Sequence, residues 1–252
     1  MKKCLHLLLF AVIVLAGCSS GNKEEQVQIT VSAAASLSDV LEEITVDFEK
    51  KHPDINVQFN FGASGALKEQ IEQGAPVDVF ISASTEKFDE LVAGDFAKEG
   101  MNLVRNELVL IAPVEQEDVQ TFQDLSSDTV EKIALGTPDV VPAGQYGQQA
   151  LAYYDVWNNI ESKIVYAKDV RQVLTYVETN NAQAGIVYKT DALTSDKVRI
   201  VQTADAGSHD RIVYPAGIVS STKLEKDAQL FLDYLVEENV QTIWEQHGFQ
   251  ME

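Results

Sequence analysis

The chain has 252 residues, 45% hydrophobic and 23% charged, with 39 acidic side chains against 19 Lys and Arg and a net charge of −20. That is ordinary globular composition, with apolar material for a large core in about two parts, and without a run of five or more like charges it lacks the basic surface that nucleic-acid binding draws on. Two cysteines, Cys4 and Cys18, and four isolated histidines, His6, His52, His209 and His247, supply neither a disulfide framework nor a metal site.

At the amino terminus Lys2 and Lys3 precede an apolar run from Leu5 to Ala16, broken only by His6. The run is short for a membrane span of about 20 residues and has the form of an export signal. It ends in Leu15-Ala16-Gly17-Cys18, which resembles the bacterial lipobox. That resemblance implies cleavage after residue 17 and a lipid on Cys18, with a plain signal peptide as the alternative. Loss of 17 residues, two of them lysines, leaves 235 residues and a charge of −22. Residues 18–26 are polar and aperiodic, a flexible tether. The expected location is therefore extracytoplasmic, with contact to the membrane through the lipid alone.

Val27, Ile29 and Val31 alternate as a strand, and Leu37, Val40, Leu41, Ile44 and Phe48 recur at helical spacing. The unit repeats: Ile55, Val57, Phe59 and Phe61 alternate, Gly62-Ala63-Ser64-Gly65 turns, and Leu67 and Ile71 lie on a short helix that stops near Gly74 and Pro76. Further strands are predicted at Val77–Ile81, Leu108–Ala112, Ile133–Leu135, Ile164–Tyr166 and Gly185–Tyr188, with helices between them. Leu224, Ala228, Phe231, Leu232 and Leu235 form an amphipathic helix, started by Ser221 or Thr222, and Trp244 lies on another behind it. Strands alternating with helices indicate an α/β protein with largely parallel sheets.

The small and hydroxyl residues fall where strands end and helices begin: Ala33-Ala34-Ala35-Ser36, Gly62-Ala63-Ser64-Gly65, and Val141-Pro142-Ala143-Gly144. α/β sheets hold ligands at such places. Helix N-termini carry unpaired N–H groups and a partial positive charge, so several converging there with serine hydroxyls would bind an anion without lysine or arginine. Ser36 and Ser64 serving only as helix caps is the plainer alternative. Asp169 reads as an N-cap, Arg171 as a surface charge, and Tyr188 as a strand-end ring in the core.

Ala33-Ala34-Ala35-Ser36-Leu37, Gly74-Ala75-Pro76-Val77-Asp78-Val79-Phe80-Ile81-Ser82-Ala83, Val141-Pro142-Ala143-Gly144-Gln145-Tyr146, Asp169-Val170-Arg171 and Gly185-Ile186-Val187-Tyr188 together resemble, in order and spacing, the molybdate-binding proteins of bacterial ABC importers. The resemblance runs from Val27 to Phe249. It implies a type II periplasmic-binding-protein fold, two α/β lobes with a ligand cleft between them. Lobe 1 would comprise residues 27–105 and 212–252 and lobe 2 residues 106–211, with Leu108–Ala112 and Ile212–Val219 as the crossing strands. The ligand-binding positions implied are Ser36 and Ser64 through hydroxyl and N–H, Ala143 and Val170 through N–H, and Tyr188 through its hydroxyl. The implied partners are an ABC permease and its ATPase. The binding protein would be a monomer without a cofactor, and molybdate or tungstate would be cargo. Related sequences often carry consecutive serines around position 64, so Gly65 is expected to loosen that loop.

A site made only of donors would reject protonated phosphate, whose O–H would find no acceptor. That rejection of phosphate requires the Asp169 carboxylate to face its own helix, and sulfate would be rejected by size. The alternatives are a binder of another oxyanion such as sulfate or thiosulfate, a ferric-iron binder, which would need more anionic ligands than one tyrosine, and a secreted serine hydrolase. The hydrolase would use Ser36 or Ser64 with His209 as the one histidine worth testing, yet neither serine lies in a Gly-x-Ser-x-Gly elbow.

Overall fold

The computed structural model describes residues 26–252. The signal at 1–17, Cys18 and the tether up to residue 25 lie outside the described residues. In chain order the strands are β1 (Val27–Ala34), β2 (Ile55–Gly62), β3 (Val79–Ile81), β4 (Met101–Arg105), β5 (Leu108–Pro113), β6 (Ile133–Gly136), β7 (Ile164–Ala167), β8 (Ala184–Tyr188), β9 (Val198–Thr203), β10 (Val213–Ile218) and β11 (Gln250–Met251). The helices are α1 (Ser38–Lys51), α2 (Ser64–Glu72), α3 (Thr85–Ala93), α4 (Pro142–Tyr153), α5 (Trp157–Ile160), α6 (Val170–Glu178), α7 (Lys189–Leu193), α8 (Glu225–Tyr234) and α9 (Glu238–Gln246).

Two sheets result. The larger has the order β11-β4-β10-β3-β1-β2 and the smaller β7-β6-β8-β5-β9. The α/β class holds, but the expectation of largely parallel sheets needs correcting. β1 pairs in parallel with β2 and β3, and β6 with β7 and β8. β10 runs antiparallel to β3 and β4, β11 to β4, and β5 to β8 and β9. The cause is the path of the chain. After β4 it passes through Asn106 and Glu107 into the smaller sheet as β5, and after β9 it returns through residues 204–212 into the larger sheet as β10. Each sheet thus receives a strand arriving from the other, against the direction of its βαβ neighbours. The segments expected to cross, at 108–112 and 212–219, are strands of one sheet each, and the crossings are the connections that precede them.

Both arriving strands are buried along their whole length, Leu108–Pro113 and Val213–Ile218, which accounts for their unbroken apolar character. α1 covers the larger sheet with Val40, Leu41, Ile44 and Phe48, all on one face by their spacing. Phe48 meets Phe231 of α8 edge-on, with ring centroids 5.1 Å apart. Behind α8, the buried Trp244 of α9 donates its indole N–H to the Leu235 carbonyl at 3.0 Å and packs edge-on against Phe249. Large aromatic surfaces of this kind bring the carboxy-terminal helices onto the larger sheet, each burial contributing about 2–3 kcal/mol. Thr222 accepts the Leu224 N–H at 3.0 Å and binds Asp78, so it secures the turn before α8 rather than the helix itself.

Candidate functional site

The parallel strands β1, β2, β6 and β8 end at one place, and the helices that follow begin there. β1 runs through Ala33-Ala34 into a single 3-10 turn, Ala35–Leu37, that carries Ser36. β2 ends at Gly62 and α2 opens with Ser64. β6 ends at Gly136 and α4 opens with Pro142, which suits a first helical position because it has no N–H to orphan, so Ala143 follows in the first turn. α6 opens with Val170, and β8 delivers Tyr188. Ser36, Ser64, Ala143, Val170 and Tyr188 all line one cavity, together with Ala35, Ala83 and Asp169. Each of the five is at most 4% exposed. The enclosed space is compact, too small for a sugar or peptide.

The N–H groups of Ser36, Ser64, Ala143 and Val170 stand in first turns, where no intrahelical acceptor exists, and none is bonded elsewhere among the described residues. The two serines do not cap helices. Ser64 Oγ instead accepts the Ala83 N–H at 2.9 Å, and Ser36 Oγ lies 2.9 Å from the Tyr214 hydroxyl. Among the described residues the Tyr188 hydroxyl is buried without a partner, and burial pushes its pKa well above the ordinary 10, so it stays protonated and able to donate. Among the described residues no Lys, Arg or His lines the cavity. Its one ionisable acid, Asp169, turns back to accept the Gln172 N–H at 2.8 Å and caps α6, as the residue pattern predicts. The cavity wall is therefore apolar carbon studded with donors.

The two halves meet around it. Gly65 N–H donates to the Val140 carbonyl at 3.0 Å, and a Cβ on Gly65 would stand 2.7 Å from Val140 Cα and O. Gly65 therefore does not loosen its loop: its bare Cα permits a backbone-to-backbone approach between α2 and the turn that precedes α4. Tyr146 donates to the Ala83 carbonyl at 3.4 Å, and Gln145 to Glu86 at 2.9 Å. Arg171 is no simple surface charge. It is one quarter exposed and reaches Asp39 of α1 on one side and, at 2.9 Å, the fully buried Asp191 on the other. Tyr214, Asn106 and Asp191 carry no signal in the sequence, where a tyrosine in an apolar strand reads as core. His209 lies in an exposed loop with Nδ1 2.7 Å from the Asp210 carbonyl and does not line the cavity, so neither serine has a base.

Two sheets exchanging strands, with helix starts enclosing a small donor-lined cavity, define a type II periplasmic solute-binding protein. The chain belongs to the bacterial extracellular solute-binding proteins, whose family profile matches residues 29–250. It is 50% identical over 251 residues to YvgL of Bacillus subtilis (strain 168), named provisionally as an ABC transporter substrate-binding lipoprotein, with 97% of this chain and 96% of that one covered. It is 36% identical over 228 residues to the molybdate-binding protein ModA of Haemophilus influenzae, covering 88% of this chain and 89% of that one. The structure of the Azotobacter vinelandii periplasmic molybdate-binding protein superposes with a TM-score of 0.80 at 23% identity, a likeness of fold covering 89% of this chain and 99% of that one. The resemblance read from the motifs thus holds, and the family is one of solute binders rather than enzymes, so the hydrolase alternative falls.

Proposed function

We propose that the protein captures molybdate outside the cytoplasm and presents it to the permease of an ABC importer driven by a cytoplasmic ATPase. Ser36, Ser64, Ala143, Val170 and Tyr188 are the binding residues in this reading, with residues 27–105 and 212–252 forming one lobe and 106–211 the other. The protein acts as a monomer, tethered through lipid on Cys18. Relatives named for molybdate support the choice of ligand. The observation that carries it is the cavity itself, a compact space lined by residues that offer hydroxyl and N–H groups and, among the described residues, by no cationic side chain.

A dianion placed there receives charge-assisted hydrogen bonds from neutral groups fixed by the fold, which stabilise it without a mobile lysine. Closure of the lobes excludes water and strengthens each bond, and reopening frees the ligand because no full countercharge holds it. Size selects against sulfate, whose shorter bonds leave donors out of reach. Tungstate, of nearly molybdate's size, binds equally in this reading. Calorimetric titration of the full chain in mild detergent with molybdate, tungstate, sulfate and phosphate tests it. Heat from the first two alone is expected, and preference for sulfate or phosphate would overturn it.

A further inference from the structure

A hydroxyl can donate or accept, so a cavity lined by hydroxyls discriminates between bare and protonated oxyanions only if something sets the direction of each O–H. We propose that Asn106 and Tyr214, neither of which lines the cavity, set the direction of Ser36 and so deny the proton of a protonated oxyanion an acceptor at that serine. This rests on the oxyanion-binding function proposed above.

The direction follows from one end of a chain of bonds. The Glu107 backbone N–H donates to Asn106 Oδ1 at 2.9 Å, which fixes the amide, because the flipped amide would place donor against donor. Asn106 Nδ2 then donates its two hydrogens, to Thr190 Oγ1 at 2.8 Å and to the Tyr214 hydroxyl oxygen at 3.2 Å. Tyr214 is fully buried, and its phenol has one proton with Ser36 Oγ, 2.9 Å away, as the acceptor in reach. Were Ser36 to donate instead, the phenol proton would be buried unpaired. Tyr214 therefore donates to Ser36, and the Ser36 proton is left to point into the cavity that this serine lines. Ser64 reaches the same state by a shorter route, since its oxygen accepts the Ala83 N–H.

Tyr214 and Asn106 are thus positioning residues for specificity. Selenate and hydrogenarsenate provide the test, being dianions of nearly one size in mildly alkaline buffer that differ by the proton. The full chain, with Tyr214→Phe and Asn106→Asp variants, is titrated with molybdate and then with each anion in competition. In Tyr214→Phe the serine oxygen is released to accept, and arsenate should gain at least about fivefold relative to selenate. Asn106→Asp keeps the shape but reverses the bonds: the phenol donates to the carboxylate and accepts from Ser36, whose lone pairs turn to the cavity. Molybdate affinity should then fall at least about tenfold while the arsenate-to-selenate ratio rises. A ratio unchanged in both variants, or arsenate and selenate moving together as mere loosening would make them, overturns the inference. Wild-type protein that binds selenate but no molybdate overturns the proposed ligand and leaves the ratio to judge the relay. Silence toward every oxyanion overturns both.

Discussion

On the larger-sheet side of the cavity the side-chain donors are serine hydroxyls whose oxygens are already engaged, Ser36 by Tyr214 and Ser64 by the Ala83 N–H. On the smaller-sheet side the donors are the backbone N–H groups of Ala143 and Val170 and a tyrosine hydroxyl that has no partner among the described residues. The first side is oriented before any ligand arrives. The second depends on helix geometry, which side-chain substitution barely touches, and on one hydroxyl that the ligand itself must satisfy. An anion should thus be gripped by a pre-set half and completed by a half that gains from its arrival.

The contact between the halves is the most sensitive place to break this arrangement. Gly65→Ala inserts a methyl group 2.7 Å from Val140 backbone atoms while adding up to about 1 kcal/mol of helix propensity to α2. Affinity for molybdate, measured by calorimetry, should fall by about a hundredfold, the effect of about 3 kcal/mol of overpacking. Retained affinity would mean that closure does not require the Gly65–Val140 approach. Next in size is Tyr188→Phe, which removes the unpartnered donor. A charge-assisted bond of about 1.5–3 kcal/mol is lost, so calorimetry should show affinity falling about 10- to 150-fold. The empty protein should keep or gain stability, because no bond of the Tyr188 hydroxyl existed to lose. A Ser64→Ala variant, by contrast, should lose affinity and stability together, since the Ala83 N–H is left buried without its acceptor.

The sequence displays one of these halves better than the other. Helix starts and their small residues are written locally: Ala33 to Ser36, Gly62 to Gly65 and Pro142-Ala143 each announce a strand end and a helix start, and all three stand at the cavity. Local pattern also marks the buried strands. What it cannot carry is direction and partnership across distance. That β5 and β10 run antiparallel follows from crossings between sheets, and β4 and β9, short and partly exposed, lack a clean alternation. Tyr214 meets Ser36 across 178 positions, and Gly65 meets Val140, so neither the relay nor the reason for that glycine is visible until the chain is folded.

Arg171 joins the two halves outside the cavity, and its two acids should respond differently. Burial raises the Asp191 carboxyl to about 7 even though Arg171 pulls it down. Between its ordinary value of 3.8 and about 7, the folded chain holds a proton that the unfolded chain has released, so stability from this group falls as pH rises across that window. Relative to Asp191→Asn, the wild type should lose up to about 1.4 kcal/mol per pH unit in urea titrations. Parallel pH profiles would show that the carboxyl is charged throughout. Asp39 is nearly half exposed, so its share of the link is worth about 0.5–1 kcal/mol after screening. Asp39→Asn should speed ligand release about two- to fivefold in stopped-flow dilution.

The smallest effect is expected at the one acid in the cavity wall. Asp169 lines the cavity, and an acceptor there could welcome a protonated anion and cancel the discrimination that the donors provide. Its carboxylate is instead committed to the Gln172 N–H. Asparagine caps a helix about as well as aspartate, so Asp169→Asn should leave molybdate affinity within about twofold and bring no phosphate binding. Asp169→Ala should cost about 1 kcal/mol of stability through the lost cap, again without changing which anion binds. Phosphate binding gained on Asp169→Asn would reveal that the carboxylate faces the ligand and repels it. The exclusion of phosphate would then rest on charge at the smaller-sheet side rather than on the donor directions set at the larger.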